Sequence, residues 1–406
     1  MKKKYSNLMN NLHNLEIIKR NTNVLILCGG IGSRISKITK KTAKPLIKVK
    51  QRPFLYYLIK NLSRYNFSNF YLLTYYKNEE FLKFKDKYEK KLNIKIRLIK
   101  EPVKLDTGGA VINAINKFGK NSEFILLNGD TYVDIDFNDA YINFKKKNKI
   151  FIPLIKSSKE SQKLNGISPN KYNQIILSKK NNLMNSGIYL FNKKNILKFI
   201  KYKKCSFENL IIKESIKLKK VYGKIYKCKF IDIGSYTSLK RLNNFIQNYF
   251  YNKKTLFIDR DNTLIYDKGY TFKLKDLKLI NKNIVNINKR YSNYLKIIIT
   301  NQSGIARGLF NIKHFKLFMQ KLLIQLEKKK IIISRILFCP HHKDSFKKKY
   351  KINCNFRKPR TGMIKYALKE LEIKKNKNIL VIGNEKKDRQ VADKLKLKYL
   401  DQSAFL

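Results

Sequence analysis

Tryptophan is absent from the 406 residues, and proline (7), glycine (16) and cysteine (5) are all scarce. Acid is scarce as well: 28 Asp and Glu stand against 90 Lys and Arg, a formal charge of +62. Five cysteines in a chain of this length make no dense disulfide framework, so a reducing compartment is expected. No apolar run approaches the roughly eighteen residues of a membrane span, which excludes a transmembrane reading. The N-terminus, MKKKYSNLMNNLHNLEIIKR, starts basic but has no continuous apolar stretch behind it. It does not read as a signal peptide, and a cytoplasmic protein is expected.

The excess of base leaves weak nonspecific polyanion binding open but does not point to nucleic acid as a substrate. Only 13 of the 90 cations are arginine, and the lysines run through both halves of the chain. A nucleic-acid footprint clusters on one face or tail and uses arginine forks for bases and phosphates. The composition instead fits drift toward Lys, Ile, Asn, Tyr and Phe, with no specific nucleic acid and no membrane as partner. Hydrophobic residues at 43% and aromatics at 12% supply ample core, excluding a disordered chain. At 406 residues, two domains are expected.

Because glycine is about 4% of the chain against a usual ~7%, its positions carry information. Gly29, Gly30 and Gly32, Gly108 and Gly109, Gly129, and Gly304 and Gly308 each follow or open an apolar run. The first half alternates strands (23–28, 70–75, 95–100, 123–130) with helices (53–65, 108–118). A second series of strands (from 255, then 296–300, 336–339 and 378–383) carries helices near 311–329 and 361–371. The alternation predicts two α/β domains with doubly wound, largely parallel sheets and ligands beyond the strand C-termini. A closing helix and polar link over 238–254 put the boundary near residue 250. The organisation expected is an N-terminal extension 1–21, a first domain 22–250 and a second domain 251–406.

In the first domain, LILCGGIGSRISKITKKTAKPLIKV (25–49) sets a Gly-rich turn after a strand, then Arg34 and Lys44-Pro45. Small residues let backbone N–H groups approach phosphate oxygens, and the cations neutralise charge. A dinucleotide fingerprint would need Gly where Ile35 stands, and a P-loop Gly-Lys-Ser/Thr where Gly32-Ser33-Arg34 stands. Neither pattern is met. Further on come EPVKLDTGGAV (101–111), LLNGDTYVDID (126–136), MNSGIYLF (184–191) and FIDIGSYTSLKR (230–241).

In this order the pieces resemble the sugar-phosphate nucleotidyltransferases, and within them the heptose 1-phosphate guanylyltransferases, over about residues 22–248. Ser33 and Ala43 depart mildly from the family pattern. The resemblance implies a Rossmann-like fold and attack of a sugar 1-phosphate on the α-phosphorus of GTP. It implies nucleotide contacts at Gly29, Gly30, Gly32, Ser33, Gly108 and Gly109, with Arg34 and Lys44 acting in catalysis. Asp130 and Asp232 match the family's Mg²⁺ acids, while Asp134 and Asp136 read as solvated or structural. Lys179 matches the lysine that reaches the sugar phosphate, and Asn185 and Gly187 match the sugar-binding segment. Ser178 stands where the family usually has Glu, so a sugar-hydroxyl contact is missing.

In the second domain, FIDRDNTL (257–264) places Asp259 and Asp261 two apart after a strand, in a chain poor in acid. IIITNQSGIARG (297–308), FRKPRTGM (356–363) and VIGNEKKDR (381–389) follow. This set resembles the haloacid dehalogenase superfamily, and within it the heptose bisphosphate phosphatases. The resemblance implies that Asp259 attacks phosphorus, that Asp261 serves as acid and base, and that Thr300 and Lys358 hold the transferring phosphoryl group. Asn301, Arg307 and Arg357 are implied substrate contacts, and Asp259, Asp261, Asn384 and Asp388 an Mg²⁺ site, Asn384 standing where the family has an acid. Asn262 replaces a usual Gly, and Asn tolerates the left-handed turn. Cys339, His341 and Cys354 match three ligands of the family's zinc loop, with Phe356 at the fourth. A zinc site and a loop packed by Phe356 both stay open.

The reading expected is thus a bifunctional enzyme taking heptose phosphates and GTP. The alternative is a transferase for another sugar 1-phosphate with a degenerate phosphatase domain. A basic nucleic-acid-binding protein on an old scaffold would have no need of Asp130 and Asp232.

Overall fold

The computed structural model describes residues 14–15, 20–30, 32–156, 167–178 and 183–405. They fall into two compact units, Lys19–Phe250 and Tyr251–Leu406, the second also taking in Asn14–Leu15.

In the first unit, Arg20–Leu27 runs parallel between Glu123–Asn128 and Phe67–Thr74, and Lys95–Lys100 extends the parallel set. Each of these strands is followed by a helix or turn that returns the chain to the same starting edge, so their C-termini share one side. The sheet is not parallel throughout. Ile150–Lys156 and Leu183–Asn185 pair antiparallel, as do Ile188–Asn192 and Glu123–Asn128, while Val221–Tyr226 is parallel to Ile150–Lys156. The sheet is eight-stranded and rich in parallel strands, as the largely parallel reading expects, with two strands running the other way. Gly187, at φ 74, bends the chain between two of the antiparallel pieces.

The helix Phe54–Ser63 has every residue buried, which accounts for its nearly all-round apolar sequence. Arg64, just beyond it, is fully buried. Its guanidinium donates to the Phe250 carbonyl at 3.0 Å and lies 4.0 Å from the centre of the Phe250 ring. The closing helix Tyr236–Phe245 starts at Ser235, whose Oγ accepts from Ser238 N at 3.2 Å. Residues 236–250 therefore belong to the first unit, with Leu242, Ile246 and Phe250 in its core.

The second unit centres on Thr255–Ile258, buried throughout and flanked in parallel by Leu295–Asn301 and Ile379–Gly383. Ile333–Cys339 and Lys398–Asp401 pair in parallel outside these. At one edge Asn14–Leu15 pairs antiparallel with Leu337 and Ile336. The described piece of the expected N-terminal extension is thus an edge strand of this sheet. The helix Ile312–Lys328 buries Phe315, Phe318, Met319, Leu322 and Leu326, one stripe at helical spacing.

Gly129 turns the chain from Glu123–Asn128 toward Asp130. A Cβ there would lie 2.4 Å from the Leu27 carbonyl oxygen and 3.2 Å from Pro45 Cγ. Since the first obstacle is backbone, Gly129→Ala is expected to destabilise the first unit by about 1–3 kcal/mol. Calorimetry should show that unit's transition falling while the second unit's transition stays in place. An unmoved first transition would contradict the close approach.

Candidate active sites

The first site gathers at the C-terminal side of the parallel strands. Gly32 holds φ 71, and Thr39 Oγ1 braces the turn by donating to its carbonyl at 3.0 Å. Lys44 is buried and its Nζ is ion-paired with Asp130 Oδ2. Glu80 fixes the approach to Lys44, accepting from Thr42 Oγ1 at 2.8 Å and Ala43 N at 3.1 Å.

Asp130 and Asp232 meet through a short ribbon in which Thr131–Val133 pairs antiparallel with Phe230–Asp232, Asp232 opposite Thr131. Ile233 N donates to the Asp130 carbonyl at 2.9 Å, and Gly234 N to Asp232 Oδ1 at 2.6 Å. Arg34 arrives at the same turn: its guanidinium nitrogen is 3.0 Å from where a Gly234 Cβ would sit. Arg34, Lys44, Asp130 and Asp232 thus converge from four separate segments. Asp136 caps the helix Phe137–Lys147, accepting from Asn138 N at 2.9 Å, a structural role.

Gly108 and Gly109 have a different occupation. Their N–H groups donate to the Cys205 carbonyl at 2.8 and 3.3 Å, and a Cβ on Gly109 would lie 2.4 Å from the Lys203 carbonyl oxygen. Close packing of the helix Asp106–Ile115 accounts for both. Lys179 lies outside the described residues.

Asn185 and Gly187 sit beside a cavity of about 200 Å³ lined by Thr107, Asn128, Tyr189, Ser206 and Glu208 among others. Asn185 Oδ1 accepts from Gly187 N at 3.0 Å, and its Nδ2 donates to Tyr189 OH at 2.5 Å. Tyr189 in turn donates to Glu208. Burial, together with the Glu208 charge, pushes the Tyr189 hydroxyl well above its ordinary range, so it stays a donor. Glu208 brings a carboxylate to this cavity.

Glu101 also went unassigned in the sequence. It is 6% exposed at the end of Lys95–Lys100 and accepts from Leu105 N at 3.1 Å through Oε2. Its Oε1 faces Gly29, where a Cβ would lie only 2.6 Å away. Burial raises the Glu101 carboxyl above its usual value.

In the second unit Asp259 follows the central strand, its N–H donating to the Ile382 carbonyl at 2.9 Å. Lys358 Nζ bridges Asp259 Oδ1 at 2.5 Å and Asp388 Oδ1 at 2.6 Å, all three side chains buried. Asp388 Oδ2 accepts from Glu385 N at 3.2 Å, so both its oxygens are held. Gly383 is required there, because a Cβ would fall 2.4 Å from the Asp388 carboxyl. Burial pushes Asp259 up to about 7, with Lys358 opposing the rise and Asp388 and Asp261 adding to it.

Asp261 is held by Arg260 and Gln302, and Gln302 also reaches Thr300 Oγ1. Asn262 takes φ 50 and accepts from Asp267 N at 2.9 Å, making the left-handed turn without glycine. Asn384 Oδ1 accepts from Thr263 Oγ1 at 3.3 Å. Asn301 devotes both ends of its amide to the Lys358 backbone, at 3.0 and 3.1 Å, and so fixes the lysine. Arg307 and Arg357 stand near His342: burial first, then their charges, hold its imidazole below the ordinary value.

Cys339, His341 and Cys354 are all buried, with ligand atoms within 4.8 Å of one another. Phe356 N donates to Cys354 Sγ at 3.4 Å, while its ring packs 5.6 Å from Tyr366.

Residues 23–249, more than half of the chain, match the family described as Nucleotidyl transferase. The chain belongs to the nucleotidyl transferase family. Residues 254–399 match the family described as Polynucleotide kinase 3 phosphatase. The D-glycero-alpha-D-manno-heptose 1-phosphate guanylyltransferase of Campylobacter jejuni is 34% identical over 216 residues, 52% of this chain and 93% of that protein. The D-glycero-beta-D-manno-heptose-1,7-bisphosphate 7-phosphatase of Haemophilus influenzae is 36% identical over 129 residues, 32% of this chain and 70% of that protein. The crystal structure of HddC from Yersinia pseudotuberculosis complexed with GMP-PN is 26% identical, with TM-score 0.47 over 55% of this chain and 98% of that one. Both resemblances read from the sequence therefore hold. This member of the nucleotidyl transferase family carries a phosphatase domain behind its transferase, and is an enzyme with both activities.

Proposed function

We propose that the chain catalyses two steps of nucleotide-activated heptose synthesis. The second unit removes the 7-phosphate of heptose 1,7-bisphosphate. The first joins the resulting heptose 1-phosphate to the guanylyl group of GTP. The relatives' printed activities both act on D-glycero-D-manno-heptose phosphates, one removing a 7-phosphate and one guanylylating a 1-phosphate, and the two sites are both furnished here; that pairing carries the reading. The setting that fits is the cytoplasm, with the product feeding surface-glycan assembly. Among the described residues no helix is long and apolar enough to cross a membrane.

In the transfer, an oxygen of the sugar 1-phosphate attacks the α-phosphorus of GTP and the bond to the bridging oxygen of pyrophosphate breaks. Both reactants are anionic, so positioning and charge neutralisation supply most of the catalysis. The turn Gly29–Ser33 gives backbone N–H groups to the phosphates, and Arg34 and Lys44 add charge. Asp130 and Asp232, hard oxygen donors brought together by the ribbon, suit Mg²⁺, which when bound neutralises the phosphates between them. Lys179, Asn185 and Gly187 take the sugar phosphate, with Glu208 available to its hydroxyls.

Glu101 supports guanine as the base. Guanine alone presents two adjacent donors, N1–H and N2–H₂, on its pairing edge. A buried carboxylate beside the Gly-rich turn accepts from such a pair and repels the acceptors of uracil or adenine.

In the phosphatase unit, an Asp259 oxygen bonds to phosphorus as the sugar oxygen leaves with a proton from Asp261. Asp261 then takes a proton from the water that releases phosphate. Thr300 and Lys358 steady the phosphoryl group, and Arg307 and Arg357 the remainder of the substrate. Asp259 and Asp388 are buried with Lys358 between them, and Asp261 and Asn384 add oxygen donors beside them. That donor set suits Mg²⁺, which when bound supplies the missing positive charge. The alternative of a degenerate phosphatase rests on Asn384; the intact Asp259, Asp261, Thr300 and Lys358 oppose it. Zinc at Cys339, His341 and Cys354 would be weakly held, since Phe356 provides no fourth ligand.

Two measurements test the reading. Pyrophosphate release should be fastest with GTP among the four nucleoside triphosphates. Glu101→Gln should lower the GTP-over-UTP ratio of kcat/KM by at least about tenfold. A wild-type preference for another base, or an unchanged ratio in a folded variant, would contradict the guanine assignment.

For the phosphatase, Asp259 binds a proton below about pH 7, and that proton competes with the cation. The half-saturating Mg²⁺ concentration should be level above pH 7 and rise up to about tenfold per unit below it. A flat dependence between pH 5 and 8 would rule out Asp259 as the competing ligand.

A further inference from the structure

Asp261 is clamped on both carboxylate oxygens. Oδ1 faces Arg260, whose Nε donates at 2.7 Å and whose terminal nitrogen approaches to 2.5 Å. Arg260 is itself fully buried, donates to the Thr271 carbonyl at 3.1 Å, and lies over the rings of Phe315 and Phe318 at 5.7 and 5.2 Å. Oδ2 accepts from Gln302 Nε2 at 2.9 Å, and the same amide nitrogen donates to Thr300 Oγ1, also at 2.9 Å. Gln302 is 3% exposed, and its backbone N–H is tied to the Cys339 carbonyl at 2.7 Å. One amide nitrogen thus spends its two hydrogens on two groups of the phosphatase site.

We propose that Gln302 is a positioning residue that holds the Asp261 carboxylate in register with the leaving sugar oxygen. The inference rests on the reading of Asp261 as the acid. Oδ1 is committed to a guanidinium that never gives up its charge. The proton passed to the sugar oxygen therefore rides on Oδ2, on the Gln302 side. An oxygen carrying that proton can still accept an N–H through its second lone pair. Without Gln302, the carboxylate is held at one end only and turns about its Cβ–Cγ bond. Proton delivery falls off steeply with such misalignment, since the donor must stay within hydrogen-bond reach of the departing oxygen.

A buried glutamine could instead merely satisfy its own polar atoms, and leaving-group dependence separates the two roles. A sugar oxygen needs a proton as it departs, whereas p-nitrophenolate does not. The parameter kcat/KM reports the steps through formation of the phospho-aspartate, including departure of that group. Gln302→Met, of similar length without donors, and Gln302→Asn, one methylene shorter, are assayed in the full chain with saturating Mg²⁺. Heptose 1,7-bisphosphate and p-nitrophenyl phosphate are the two substrates, and the second unit's calorimetric transition reports its folding.

For Gln302→Met, kcat/KM is expected to fall about 30–100-fold on the sugar phosphate and less than about threefold on the aryl phosphate. Gln302→Asn should show the same selectivity. Equal losses on both substrates, or no loss on either, overturn the proposal. Asp261→Asn is run in parallel. If it shows the selectivity and neither Gln302 variant does, the positioning role is wrong and the acid role stands. If Asp261→Asn shows no selectivity, the acid role falls and the inference falls with it.

Discussion

A buried lysine tied to an aspartate at the end of a central strand organises each unit: Lys44 with Asp130, and Lys358 with Asp259 and Asp388. Removing either partner of such a pair would leave an uncompensated charge in a dry site, which costs more than the pair itself contributes. Other features follow from that constraint. Gly129 and Gly383 are small because the acids and their neighbours need the space. Glu80 fixes the turn into Lys44, and Asn301 fixes the backbone of Lys358. Elsewhere the chain has drifted to lysine, and solvated lysine is nearly neutral to stability, so the drift stops where the buried acids begin.

Strand-end chemistry was the part most legible in the sequence. Glycine and aspartate have few reasons to persist in a chain of this composition, and both marked the sites. The left-handed turn at Asn262 followed from side-chain sterics alone. Lysine-rich helices such as Asn78–Leu92 and Lys386–Lys394 were harder, because Phe81, Phe84, Tyr88 and Leu92 are spaced among charges and only tertiary packing picks out their stripe. The direction of Leu183–Asn185 and Ile188–Asn192, which run against the rest of the first sheet, was not legible because nothing in a strand's own residues reports it. Gly108 and Gly109 sit in a nucleotide-binding pattern, yet their amides go to Cys205, about a hundred residues away.

Glu101, Glu208 and Gln302 escaped for one shared reason. Each acts through a partner distant in sequence or through a burial that only the folded chain creates. Glu208 meets Tyr189 and Asn185, and Gln302 meets Asp261 across 41 positions. Glu101 is unremarkable as a residue until its burial beside Gly29 is known.

In the proposed order the phosphatase precedes the transferase and spares the 1-phosphate that attacks GTP. Phosphorus NMR of the purified chain with heptose 1,7-bisphosphate, GTP and Mg²⁺ tests this directly. One inorganic phosphate per sugar should appear first, followed by equal amounts of pyrophosphate and a guanosine diphosphate sugar lacking the 7-phosphate. A nucleotide sugar that retains its 7-phosphate, or phosphate release with no nucleotide sugar, would contradict the account.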